Sequence, residues 1–223
     1  MPIETTSSSQ QAQAYFPKPD RMHWIAIAVV VLACAIASIN PLEFSSYLLH
    51  QAGTLLGLIA LLVFSFKGLV SRSGFILTIV FILLHIVGAH YLYSYVPYNK
   101  WLIHAFNVDL NQYFGWSRNM YDRLVHFSYG LLLFKITADV FSVSYPGNKS
   151  WKIALLALQF VMASSMVYEL IEWWIAIGMS PEEAENYNGQ QGDIWDAQKD
   201  MALATLGAIM AWVIQAVYKT FKA

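Results

Sequence analysis

Three stretches of this chain carry ionisable residues in pairs. They are Asp122 and His126 in YDRLVHFSYG, Glu169 and Glu172 in YELIEWW, and Asp196 and Asp200 in DIWDAQKDMALATLGA. The i,i+3 and i,i+4 spacings put both members of a pair on one face of a helix. A charge at the centre of a bilayer costs about 2.5–3.5 kcal/mol even on the lenient insertion scale. A chain that repeats this cost on three apolar helices is expected to turn the charges toward one another. Carboxylates and imidazoles gathered at one depth can bind a divalent metal, with Zn, Fe or Mn suited to mixed nitrogen and oxygen ligands. Without metal, the same groups can exchange protons as a general acid–base pair.

The elements that must hold these residues read as membrane spans. Apolar residues make up 57% of the chain and charged residues only 12%, too few for a soluble domain of this length. Six apolar runs approach or reach the ~20 residues a spanning helix needs: about 22–39, 47–66, 74–93, 122–140, 151–178 and 196–217. Tyr and Trp gather at their ends, as in an interfacial belt. The prediction is an all-α, six-helix integral membrane bundle over 21–223, behind a disordered, polar tail at 1–20. A net charge of −1 points to no nucleic-acid partner. With one cysteine, Cys34, no intrachain disulfide can form. Its VLAC setting lies mid-way along an apolar run that continues past it, so it reads as a helix residue rather than a processing site.

Lys and Arg set the orientation. Lys18, Arg21, Lys67, Arg72, Lys149, Lys152, Lys219 and Lys222 fall on the two termini and the second and fourth loops. The first and fifth loops have none, which predicts cytoplasmic termini. The long third loop, external by parity, carries Lys100, Arg118 and Arg123 against this rule. Its WLIHAFNVDLNQYFGW stretch reads as an interfacial or re-entrant segment. With this topology His85, His90, Asp122, His126, Glu169, Glu172, Asp193, Asp196 and Asp200 all fall toward the external side. His85, His90, Asp122, His126, Glu172 and Asp200 are the candidate metal ligands. His126, Glu169, Glu172, Asp196 and Asp200 are the candidate catalytic groups. Arg118, Asn119, Arg123 and Asp193 are expected to face a substrate headgroup, the arginines as a phosphate clamp.

Plainer roles compete with these. Asp122 and Asp196 open helices, where a carboxylate caps free N–H groups. Arg123 and Lys199 can be their ion-pair partners. His85 alone suits an interhelical hydrogen bond, and His90, five residues on, lies about 140° around the helix from it. Lys135 and Asp139 read as a snorkelling pair near the cytoplasmic end, and His23, His50 and His104 as interfacial. Glu169, Glu172 and Asp200, inside spans and away from their ends, are the hardest to explain without a functional site.

HIVGAHYLYSYVP (85–97), SRNMYDRLVHFSYGLLL (117–133), YELIEWW (168–174) and GQQGDIWDAQKDMALATLGA (189–208) resemble the YjdF-type bacterial inner-membrane protein family, in the same order over more than half the chain. A fainter likeness is to VanZ-like proteins, which pair an Asp-basic-x-x-His-Phe helix start with a later Glu and a further helix before a small-residue run. Their usual Asn stands here as Asp200. The resemblance implies a bacterial cytoplasmic membrane location and marks these residues, without supplying a reaction. The expected function is a metal-assisted membrane enzyme acting on a lipid or lipid-linked substrate, with membrane lipids as its partners. The alternatives are a proton- or ion-coupled transporter and a non-catalytic protein that senses lipids or an antibiotic.

Overall fold

The computed structural model describes residues 16–222, apart from the side chains of Asn186 and Lys222. Among these residues every regular element is a helix: α1 Arg21–Ala37, α2 Phe44–Phe66, α3 Arg72–His90, α4 Tyr98–Phe106, α5 Leu110–Phe114, α6 Tyr121–Ser144, α7 Ser150–Ile177, α8 Pro181–Asn188 and α9 Asp196–Lys222. Five of them, α2, α3, α6, α7 and α9, are long and apolar enough to cross a membrane. α1 is apolar but has 17 residues, a rise of about 26 Å against a hydrocarbon core of about 30 Å.

Local chemistry moves the expected boundaries. α1 stops at Ala37 because Ser38 turns its N–H and Oγ back onto the Cys34 carbonyl (2.9 and 2.8 Å), and Asn40 is left-handed (φ 49°). α2 starts early because the Glu43 carboxylate accepts the N–H groups of Ser45 and Ser46 at 2.8 and 2.6 Å. α3 ends at His90, short of Tyr93, because Leu92 and Tyr93 both take left-handed backbone (φ 50° and 53°), a costly conformation for bulky side chains. Of the tail expected at 1–20, residues 1–15 lie outside the described residues. Asp20, at its end, caps α1 and pairs with Arg72. The third loop folds as two short helices, α4 and α5, parted at left-handed Asn107.

Contacts between helix ends fix directions. α1 runs beside α3: Asp20 meets Arg72 at one end, and His90 Nδ1 lies 2.8 Å from the Ala37 carbonyl at the other. α6 runs opposite to α3, with Tyr121 Oη donating to Leu84 O (3.0 Å) and Ser71 Oγ to Asp139 (2.5 Å). α9 runs with α6 and against α7, whose Ser150 Oγ accepts from Lys219 Nζ at 2.7 Å. α6 is the central helix, packed on α3, α7 and α9. Large apolar side chains such as Leu56, Phe160 and Val213 stay exposed on the outer faces, as lipid contact requires.

Two glycines set the closest helix crossing. A Cβ on Gly130 of α6 would overlap the backbone of Ala204 and Ala208, and one on Gly207 of α9 would overlap Phe127 and Leu131. Small residues let backbones meet in this way. Below the crossing, Phe134, Ala154, Ala157, Val161, Ala208 and Ala211 form an apolar layer between α6, α7 and α9. The Lys135–Asp139 pair does not snorkel. Asp139 is 3% exposed, and its carboxylate takes the Ser71 N–H (3.0 Å) and Oγ as well as Lys135. Burial demands these partners, and they tie α6 to the start of α3.

Candidate polar site at the start of α6 and α9

The Gly130–Gly207 crossing brings the first turns of α6 and α9 together. Asp193, just before α9, accepts the Trp195 N–H at 3.1 Å. Arg123 Nη2 reaches Asp193 Oδ2 at 2.7 Å and Asp196 Oδ1 at 2.8 Å. Arg118 Nη1 reaches the same Asp196 oxygen at 2.6 Å, and its Nη atoms donate to the carbonyls of Gly189 and Gln190. Lys199 Nζ closes on Asp193 at 2.6 Å. The Lys199 ammonium first, then the Trp195 N–H and the Arg123 guanidinium, hold the Asp193 carboxyl well below the usual carboxylate range.

One turn deeper the charges change character. Ligand atoms of Asp122, His126 and Asp200 all lie within 4.8 Å of one another. His126 Nε2 is 3.6 Å from Asp122 Oδ1, and its Nδ1 is 3.7 Å from Glu169 Oε1 on α7. Both distances are too long for hydrogen bonds, so the ring lies between two carboxylates without bonding either. Among the described residues, buried Glu169 Oε1 and Asp200 Oδ1 have no hydrogen-bond partner; Asp200 has only Arg123 Nε at 4.0 Å. Buried carboxylate oxygens are costly unless paired or bound to a cation. A cavity of about 290 Å³ lies against Glu169, Glu172, Asp196 and Asp200, and one of about 300 Å³ against Asp122, His126, Tyr168 and Glu172.

A family model of predicted membrane proteins, DUF2238, matches residues 22–221. The chain belongs to the DUF2238 family. It is 36% identical over 123 residues to the inner membrane protein YjdF of Escherichia coli (strain K12), which is 55% of this chain and 54% of that relative. The match thus spans about half the length of the relative. The YjdF-type resemblance is thereby established. Neither match shows the VanZ-like one. No solved structure matches the chain.

Within this DUF2238 chain the expected site residues separate into three groups. Asp122, His126, Glu169 and Asp200 come together, and Glu172 stands beside them as a lining residue of both cavities. Arg118, Arg123, Asp193 and Asp196 form the ion-pair layer above, so the arginines that resisted the charge rule are taken up by aspartates. Asp122 and Asp196 lie in the first turns of their helices, and the N-cap of α6 is Met120. Asn119 is a strut: its Nδ2 donates to the Val96 carbonyl (2.8 Å) and its Oδ1 accepts the Tyr121 N–H (2.9 Å). Away from the cluster, His90 bonds toward α1. His85 makes the interhelical bond expected of it, with Nε2 on the His50 carbonyl at 3.1 Å and Nδ1 on the Tyr93 hydroxyl.

Other residues were hidden in the sequence. His50 and His23 are buried within the bundle, 4% and 1% exposed, and His50 stacks on Tyr187 of α8 at 4.8 Å. Helix α8 lies inside what reads as an acidic loop. Ser180-Pro181-Glu182-Glu183 is its signal: Ser180 and Glu183 form a capping box and Pro181 occupies the first turn. Tyr187 and Asn188 then border the larger cavity. Tyr93 reaches it through the left-handed turn after α3, which no local motif announces.

Proposed function

We propose that this chain is a metal-assisted membrane enzyme whose substrate is a lipid or a lipid-linked molecule. The observation that carries the reading is the buried cluster of Asp122, His126 and Asp200, with unpartnered carboxylate oxygens on Asp200 and neighbouring Glu169. One imidazole and two or three carboxylates suit Zn, Fe or Mn. A cation there would neutralise like charges that otherwise repel, and would supply a Lewis acid or an activated water. Glu169 and Glu172 are then placed to move protons. The Arg118/Arg123/Asp193/Asp196 layer holds the two helices that carry the ligands.

Below the cluster, Phe134, Ala154, Ala157, Val161, Ala208 and Ala211 pack as an apolar layer between α6, α7 and α9. This favours an enzyme over a transporter. In this reading the chain crosses the bacterial cytoplasmic membrane six times, α1 included, with both termini inside and the site toward the outer face. The Lys/Arg asymmetry of the loops supports that orientation. Metal content of detergent-purified protein, compared with Asp200→Asn and His126→Gln variants, tests the site. A stoichiometric divalent metal lost in both variants is expected. Wild-type protein that takes up none of Zn, Fe or Mn rejects the reading.

A further inference from the structure

The two cavities meet at the polar cluster, and Asp122, Glu172 and Asn188 line both. The smaller lies among carboxylates. The larger is walled chiefly by apolar groups, including Phe81, Ile82, Val125 and Leu133, and its carboxylates are Asp122 and Glu172. A molecule filling both must be amphiphilic, with its junction at Asp122 and Glu172. The volume of about 300 Å³ is at the lower end for ligand pockets.

The larger cavity is bordered by α2 on one side and α7 on the other. α2 packs on α3 and α7 packs on α6, and the described residues of α2 and α7 share no extensive interface. The cavity lies in that gap. Its α2 border is Gly53, Thr54 and Gly57, and its α7 border is Ser164, Ser165, Tyr168 and Glu172. Outward-facing neighbours on these helices, Leu56 and Phe160, are exposed as lipid-facing residues are. The hydroxyls of Thr54 and Ser165, 4% and 3% exposed, also border the cavity without hydrogen-bond partners.

We propose that this chamber holds one hydrocarbon chain of a membrane lipid, which enters between α2 and α7 and leaves the lipid's polar end at Asp122 and Glu172. A tail passing from bilayer to chamber exchanges one apolar environment for another. The chamber therefore selects by shape, and the polar end supplies the affinity. The chemistry at that end rests on the function proposed above; tail binding does not require the metal.

The test uses the full chain in nanodiscs of phosphatidylethanolamine and phosphatidylglycerol, doped with a phospholipid bearing a diazirine at mid-chain. Adducts formed on irradiation are mapped by mass spectrometry. Interior residues Thr78 and Ile82, 7% and 4% exposed, label if a tail occupies the chamber. Phe160 and Met162, on the lipid-facing side of α7, serve as the reference. A Cβ on Gly57 meets nothing within 4 Å, so Gly57→Phe fills the chamber without a backbone clash. It should cut interior labelling severalfold and leave the reference labelling and metal content unchanged. Leu133→Trp blocks the chamber from α6 and repeats the test should one variant lose its fold. No interior labelling in wild type, or undiminished interior labelling in a folded blocking variant, overturns the proposal. Interior labelling in protein that binds no metal would reject the metal chemistry and uphold the tail chamber.

Discussion

Replacing Gly130 by Ala adds one carbon at the crossing of α6 and α9. That carbon would lie 2.8 Å from the Ala208 backbone nitrogen and closer still to the Ala204 carbonyl. Both neighbours are backbone and cannot rotate aside. Ordinary contact begins at about 3.4 Å, and the Ala204 oxygen would lie at 1.8 Å, so the helices must part by up to about 1.6 Å along that line. Overpacking of this kind costs typically ~1–3 kcal/mol, which for a chain of this size lowers the melting temperature by roughly 2–12 °C. The same movement reaches the site. Arg123 Nη2 sits 2.8 Å from Asp196 Oδ1, and an opening of that size carries the bond past good hydrogen-bond range. Detergent melting curves and divalent-metal titrations of wild type, Gly130→Ala and Gly57→Ala form the assay. Gly57→Ala, with open space at its Cβ, should keep or raise the melting temperature, since Ala is favoured over Gly in a helix by about 0.5–1 kcal/mol. A Gly130→Ala protein with wild-type melting temperature and undiminished metal affinity would refute the argument that this crossing positions the cluster.

Two further outcomes follow from the ion-pair layer. Arg123→Met leaves Asp196 with Arg118 and Asp193 with Lys199, so it should lower the melting temperature by less than the ~3–5 kcal/mol that a stranded buried charge costs; Arg123→Lys should restore most of the loss, because a single guanidinium nitrogen makes both contacts. Asp193, held below the usual carboxylate range by Lys199, Trp195 N–H and Arg123, stabilises the fold above its unfolded pKa and loses that contribution as pH falls through its folded value. Asp193→Asn should therefore melt below wild type at neutral pH, with the gap narrowing once pH drops below about 4. A gap that stays constant down to about pH 3 would contradict it.

The helices and the residues that could form a site were legible because apolar length and charge spacing are local signals. An apolar run cannot hide its length, and Asp122/His126 or Asp196/Asp200 can share a face only one way on a helix. What the charged residues pair with depends on register between helices. Arg118 and Arg123 looked like headgroup contacts while α6 was viewed alone. The Gly130–Gly207 crossing also brings them onto Asp193 and Asp196. Lys135–Asp139 turned inward for a similar reason, since its third partner, Ser71, is 68 residues away from Asp139. Tyr187, stacked on His50, and Tyr93 reach the chamber through a tertiary stack and a left-handed turn, neither of which leaves a pattern in sequence. α8 has a local signal in its Ser180/Glu183 capping box, set within an acidic composition that reads as loop.

The central claim is that Asp122, His126 and Asp200 hold a metal. X-ray absorption at the metal edge of Zn- or Mn-loaded protein tests it most directly. The account predicts a first shell of nitrogen and oxygen at about 2.0–2.2 Å, with an imidazole scattering signature that disappears in His126→Gln. A shell of oxygen alone, or an imidazole signature that survives in His126→Gln, would contradict it.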